Sequence, residues 1–254
     1  MLEEYIQELF TFFMLFAFNI RQPMVLKLGT AICTINVRHK GESLATLIAL
    51  HENEKTCIRA FDALPTSSNF ILYSLTQKGN RLLEMKDNNR IYYFDPNRIF
   101  SRVGIIKTLK KYNTSYPLKI INKIAAFSNK LLKVTTIKNS SKYIIALHNN
   151  TNGKFSAKSF NHYSHASKVY LSKGKYPDDF LIVTQLPDFI FFKSQNQNVV
   201  FQSKSAEDDG SLSIYCQKNR IPYINVEARI GHKKQQIDML ISCEKLLKVE
   251  GKLN

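Results

Sequence analysis

Short apolar runs rich in β-branched and aromatic residues alternate along this chain with stretches whose apolar positions recur at helical spacing. The runs predict strands near Ala31–Val37, Ala45–Leu50, Phe70–Ser74, Ile91–Phe94, Tyr143–Leu147, Phe180–Val183, Phe189–Phe192, Val199–Gln202 and Tyr223–Val226. The intervening stretches predict helices at Lys55–Ala63, Phe100–Lys111, Tyr116–Val134, Ser211–Lys218 and Gly231–Val249. The third is the clearest, because Ile120, Ile124, Phe127 and Leu131 repeat on one face while Lys119, Lys123 and Lys130 precede them by one position. Strands alternating with helices predict an α/β sandwich around a mixed sheet.

Three predicted strands end on polar residues. Leu47–Leu50 runs into His51, Tyr143–Leu147 into His148, and Tyr223–Val226 into Glu227. Ligands of open α/β sheets bind beyond the carboxyl ends of the strands, so these groups are placed to meet in one crevice. His51 and Glu54 form an H-x-x-E pair, and imidazole and carboxylate are both zinc ligands.

Bulk composition narrows the class without deciding it. With 254 residues and 44% hydrophobic content the chain can bury a large core, and no repeat, low-complexity tract or linker divides residues 29–254. The four cysteines, Cys33, Cys57, Cys216 and Cys243, form no CxxC, which excludes zinc-ribbon and thioredoxin-type motifs. Two disulfides remain compatible with their number, but the apolar surroundings of Cys33, Cys216 and Cys243 fit packed free thiols better.

Residues 1–28 are set apart by their apolar core, Leu9–Ile20. Its 12 residues are too few to span a bilayer. Glu3, Glu4 and Glu8 precede it where an export signal carries positive charge, leaving a helix and an atypical signal both open. Location, periplasmic or secreted against cytoplasmic, stays open with it, as does oligomeric state.

The formal charge of +16 is concentrated between Arg102 and Tyr176, which holds 15 lysines and arginines and no acid. Such a field attracts anions, whether an acidic polymer, nucleic acid or a small acidic substrate. The amphipathic pattern of Tyr116–Val134 equally reads as a lysine-coated, solvated face, and no nucleic-acid-binding motif is present.

Taken in order, HENE at 51–54, DPNRIF at 95–100, LHNNT at 147–151 and VEARIGH at 226–232 resemble the aspartoacylase and succinylglutamate desuccinylase group of the zinc carboxypeptidase superfamily. The resemblance covers about residues 44–240 and implies a three-layer α/β/α sandwich with a zinc hydrolase site. It implies that His51, Glu54 and His148 hold zinc, and that Asn97 and Arg98 grip a free carboxylate of the substrate. It further implies that Arg90 polarises the scissile carbonyl and that Glu227 is the general base. The implied substrate is a small peptide or N-acyl amino acid, to which the lysine-rich segment adds a preference for an acidic one.

Chains of the aspartoacylase type carry a further β-rich domain, whereas only 27 residues follow Glu227 here. Asn149–Asp179 and Ser194–Gly210 are therefore expected to rim the site. The competing expectation, from a different class, is a non-catalytic basic protein that binds an acidic polymer or nucleic acid. His39, His162 and His165 match no motif.

Overall fold

A computed structural model describes residues 20–151, 153, 155–162 and 166–250. Leu9–Asn19 of the apolar leader lie outside the described residues. Among those described, no helix is long and apolar enough to cross a membrane.

Nine strands form one mixed sheet in the order β1-β2-β4-β3-β7-β11-β9-β10-β8. They are β1 (Ile20–Leu28), β2 (Ala31–Lys40), β3 (Ala45–Ala49), β4 (Phe70–Thr76), β7 (Tyr143–Asn150), β8 (Ala166–Tyr170), β9 (Phe180–Val183), β10 (Val199–Gln202) and β11 (Tyr223–Arg229). A separate hairpin joins β5 (Leu83–Asp87) to β6 (Arg90–Phe94). The central strands β4, β3, β7 and β11 are mutually parallel, so their carboxyl ends share one edge of the sheet. They are buried on both faces, which is why they read as continuous apolar runs.

Among the described residues six helices cover the sheet: α1 (Lys55–Asp62), α2 (Arg102–Tyr112), α3 (Leu118–Val134), α4 (Leu186–Ser194), α5 (Leu212–Lys218) and α6 (Lys233–Glu250). Residues of α2, α3 and α5 pack with Ile48, Ile144, Ala146 and Tyr223 on one face. Residues of α1, α4 and α6 pack with Leu47, Ile145, Leu147 and Val226 on the other. The result is the expected three-layer α/β/α sandwich. In α3 the residues expected to face inward, Ile120, Ile124, Phe127 and Leu131, are all buried.

Sequence and structure part at four elements. The FIFF run at 189–192, expected as a strand, lies inside α4, where Pro187 opens the first turn and Phe189 and Phe192, three residues apart, turn to the core. A short apolar run has no period to tell the two apart. β1, β5 and β8 were not among the expected strands. β1 and β8 are edge strands and β5 has β6 as its one strand partner, with a further bridge from Lys86 to Gly29. The four cysteines are free and buried.

Candidate metal centre

The register of the sheet assembles the site. On adjacent parallel strands Glu227 of β11 stands opposite His148 of β7. β3 pairs with β7 up to Ile48 opposite Ala146, which carries His51 to the same edge just past the strand end. Residues 51–54 then turn back, Glu54 N–H donating to His51 O at 3.2 Å, and Glu54 occupies the N-cap position of α1. Its side chain makes no cap hydrogen bond; it reaches the two histidines instead.

Three buried groups meet there. Glu54 Oε1 is 2.9 Å from His51 Nδ1, Glu54 Oε2 is 3.0 Å from His148 Nδ1, and the two Nδ1 atoms are 3.2 Å apart. Two ligands bound to one tetrahedral zinc at about 2.0–2.1 Å stand about 3.3–3.4 Å from each other. The Nδ1–Nδ1 separation matches one edge of that tetrahedron to within a few tenths of an ångström, and each Nδ1 is met by a different oxygen of Glu54. Among the described residues, His51, Glu54 and His148 are the group able to hold a metal ion.

Neighbouring groups fix each ligand. His51 Nε2–H donates to Asp95 Oδ1 at 2.8 Å, which turns Nδ1 toward the other two ligands. The Asn149 backbone N–H donates to Glu54 Oε2 at 3.0 Å. Gln236 of α6, fully buried, donates to the His148 carbonyl at 3.1 Å and accepts from Asn149 Nδ2 at 2.9 Å. Burial alone would lower the pKa of His51, but the carboxylates of Glu54 and Asp95 hold it up at about 9. Burial works against ionisation of Glu54, yet the two imidazoles keep its carboxyl well below the usual range.

A cavity of about 630 Å³ opens from this cluster, with Arg81, Asn97, Arg98, Asp209 and Glu227 on its wall. Asp95 caps the short 3₁₀ turn Pro96–Arg98 by accepting from Asn97 N–H at 2.8 Å. Asn97 Oδ1 accepts from Leu212 N–H at 3.0 Å, tying that turn to the start of α5. The adjoining loop can come this close only because it meets a glycine with a glycine: a Cβ on Gly104 would lie 2.3 Å from Gly210 Cα. Arg98 lies 3.5 Å from Asp209 and donates to the Asn97 carbonyl at 2.7 Å.

Glu227 is buried in the same wall. Asn225 Nδ2 donates to its Oε1 at 3.1 Å and Asn150 Nδ2 to its Oε2 at 3.4 Å. Burial raises its pKa above the ordinary glutamate value, opposed by His148 and reinforced by Glu54. A carboxylate whose burial favours its protonated form, beside a metal-competent cluster, is suited to taking up and returning a proton.

The structure brings together six of the seven candidate residues named from sequence and leaves one out. Arg90 is exposed and begins β6, lining a separate hollow with Asp87, Tyr92, Tyr116 and Lys119. Five residue steps of extended chain lead from it to Asp95, a span of about 16 Å that the strand cannot fold back. Arg81 stands in the cavity instead, donating to Glu54 Oε1 at 2.7 Å and lying 3.5 Å from Asp95. Its loop is pinned where Glu52 Oε2 accepts the N–H groups of Gln77 and Gly79, both at 2.6 Å. The available signal was positional: the loop follows β4, which is parallel to β3 and ends at the same sheet edge. Asp95, Asn150 and Asn225 were likewise overlooked, although each lies within five residues of a candidate. His232 contacts Asp179 at 2.8 Å and is not on the cavity wall.

No known family profile and no curated protein matches this chain. Solved structures do. Bovine thrombin-activatable fibrinolysis inhibitor, solved in complex with tick carboxypeptidase inhibitor, is 10% identical with a TM-score of 0.50 over 100% of this chain and 97% of that one. N-formylglutamate amidohydrolase from Ralstonia eutropha JMP134 is 10% identical, with a TM-score of 0.45 over 85% and 97% of the two chains. The succinylglutamate desuccinylase/aspartoacylase of Rhodobacter sphaeroides is 13% identical, with a TM-score of 0.43 over 91% and 66%. The nine-stranded mixed sheet between two helical layers is a carboxypeptidase-like fold.

Proposed function

We propose that this protein is a zinc-dependent hydrolase that cleaves an amide bond next to a free carboxylate, as a carboxypeptidase or as a deacylase of N-acyl amino acids. The observation that carries the reading is the buried His51–Glu54–His148 cluster, whose ligand atoms lie within 4.8 Å of one another at the base of a cavity also lined by Glu227 and Arg98. A zinc ion held by those three side chains supplies Lewis acidity, lowering the pKa of a water and polarising a carbonyl.

The chain's own residues supply the rest. Arg98 presents a planar guanidinium that takes a carboxylate through two parallel hydrogen bonds, exchanging its looser contact with Asp209 for the substrate. Asn97, which lines the same cavity, has its Nδ2 3.4 Å from His148 Nε2 and offers the carboxylate a further donor. Holding the substrate by this end makes attack at the neighbouring carbonyl effectively unimolecular. Glu227, oriented by Asn225 and Asn150, accepts the proton of the attacking water and returns it to the leaving amine. Arg81 takes the part assigned from sequence to Arg90, facing the negative charge that develops on the carbonyl oxygen. Asp95 keeps His51 in the tautomer that leaves Nδ1 free.

Metal analysis with an activity assay tests this. The expected result is about one zinc per chain, lost in His51→Ala and His148→Ala, and retained without hydrolysis in Glu227→Gln. A fully active Glu227→Gln protein would remove the general-base assignment. The alternative, a non-catalytic binder of acidic polymer, draws on the lysine-rich α2 and α3. It requires salt-sensitive polymer binding without bound metal.

A further inference from the structure

Arg90 stands apart from the metal centre, and its own surroundings define a second site. β5 and β6 form a hairpin that turns at Asn88 and Asn89, with Asp87 opposite Arg90. The Asp87 carboxylate nevertheless turns to α3, meeting Lys119 at 2.7 Å and also Lys123. The Arg90 guanidinium is left unpaired among the described residues. Arg90 and Tyr92 are two residues apart in β6, so their side chains leave the same face of the strand. Between that hairpin and the start of α3 lies a hollow of about 550 Å³, lined by both residues together with Asp87, Tyr116, Pro117 and Lys119.

The donors around this hollow are unspent. Tyr92 is only 4% exposed, yet its hydroxyl has no hydrogen-bond partner among the described residues. Asn88, Asn89 and Ser115 border the same space, and their side chains are likewise uncommitted there. Pro117, the N-cap of α3, supplies no side-chain acceptor, and the first turn of that 17-residue helix holds no acid. Its opening amides therefore add the positive end of a helix dipole to the side-chain donors. Asp87 is the one acid among the described residues lining the hollow. Against it stand Arg90, Lys119 and Lys123, and three cations to one carboxylate leave two positive charges.

We propose that this hollow binds a phosphate monoester, of a small molecule or of a lipid headgroup, through Arg90, Lys119 and Tyr92. A phosphate monoester carries about two negative charges at neutral pH and three acceptor oxygens, which matches both the charge and the surplus of donors. The guanidinium takes two oxygens in parallel, and the hydroxyl and the amides of α3 are placed for the third. The volume leaves room for an organic body against the rings of Tyr92 and Tyr116. Leu118, exposed next to Lys119, gives a lipid source a further contact. The hollow shares no lining residue with the metal-centre cavity, so the proposal stands independently of the hydrolase reading.

The test has two arms on the full chain: calorimetry with glycerol 3-phosphate, and co-sedimentation with phosphatidylcholine vesicles containing about a tenth phosphatidic acid. Binding in either arm is expected to weaken about tenfold or more in Arg90→Ala and several-fold in Tyr92→Phe. Lys130→Ala, which removes an exposed α3 lysine outside the hollow, and Arg98→Lys, in the metal-centre cavity, are expected to stay within about twofold. Arg90-dependent binding of glycerol 3-phosphate identifies a soluble ester as the ligand, and Arg90-dependent binding confined to vesicles identifies a lipid. The inference is overturned if neither arm shows binding up to about 10 mM phosphate ester, or if binding is unchanged in Arg90→Ala or Tyr92→Phe. Equal weakening in Arg90→Ala and Lys130→Ala also overturns it, since that marks diffuse surface charge, as does loss in Arg98→Lys alone.

Discussion

Zinc affinity should depend on pH through one identifiable proton. In the metal-free protein His51 is buried between Glu54 and Asp95, and those carboxylates keep it protonated to about pH 9. A metal ligand must be neutral at the coordinating nitrogen, so binding expels that proton. At pH 7, about two units below the His51 pKa, apparent affinity is then weakened about 100-fold, or about 2.7 kcal/mol, relative to the plateau above pH 9. Asp95→Asn removes one of the two carboxylates that hold the proton. It is expected to flatten the pH dependence while lowering plateau affinity about 10- to 100-fold, because His51 loses the partner that orients it. Zinc titration against a chelator of known proton affinity, between pH 7 and 9, gives the slope directly. Calorimetry at pH 7 in two buffers of different ionisation enthalpy counts the released proton. Affinity independent of pH across that window, or the same slope in wild type and Asp95→Asn, would refute the argument.

Other consequences follow from the same geometry. The raised His51 pKa means that its contribution to folding of the metal-free protein is fully present below about pH 6.5 and lost as pH rises toward about 9. Melting temperature of the metal-free protein should therefore fall over that window, while the stabilisation added by fixed free zinc grows, because binding tightens. Arg81→Ala is expected to lower kcat about 10²- to 10³-fold, whereas Arg90→Ala, in its separate hollow, should stay within about twofold by steady-state kinetics. Equal effects of the two would return the role to Arg90. Arg98→Lys should raise KM about tenfold or more for substrates with a free carboxylate and leave amidated analogues nearly unchanged, since an ammonium cannot reproduce the paired hydrogen bonds. A uniform change across both substrate types would argue against carboxylate recognition.

Local patterns in the chain were enough for whatever depends on local chemistry. The apolar spacing of Ile120, Ile124, Phe127 and Leu131 specifies the inward face of α3 wherever that helix packs, because a helix period is a property of the segment. The H-x-x-E pair at His51 and Glu54 is similar: a strand end and a tight turn bring both residues together, and Asp95 and Asn149 then fix their side chains. The order of short motifs extended this to His148, Asn97, Arg98 and Glu227, which line the cavity beside that pair.

What the tertiary structure decided is whatever depends on which strands are neighbours. That His148 stands opposite Glu227 follows from the parallel register of β7 and β11, which no local spacing encodes. Arg90 and Arg81 could not be separated by counting from the DPNR turn, because the answer lies in the direction of a hairpin: β6 carries Arg90 away from the site, while the loop after β4 delivers Arg81 to it. The FIFF run became a helix and β1 joined the sheet for the same reason, short apolar segments taking the conformation that buries them best. The charge of the chain, +16 by composition, describes its helices and outer surface. The charge that a substrate meets is set by which acids the fold brings beside Arg81 and Arg98, since electrostatic interaction falls with distance and salt and is strongest between partners desolvated together.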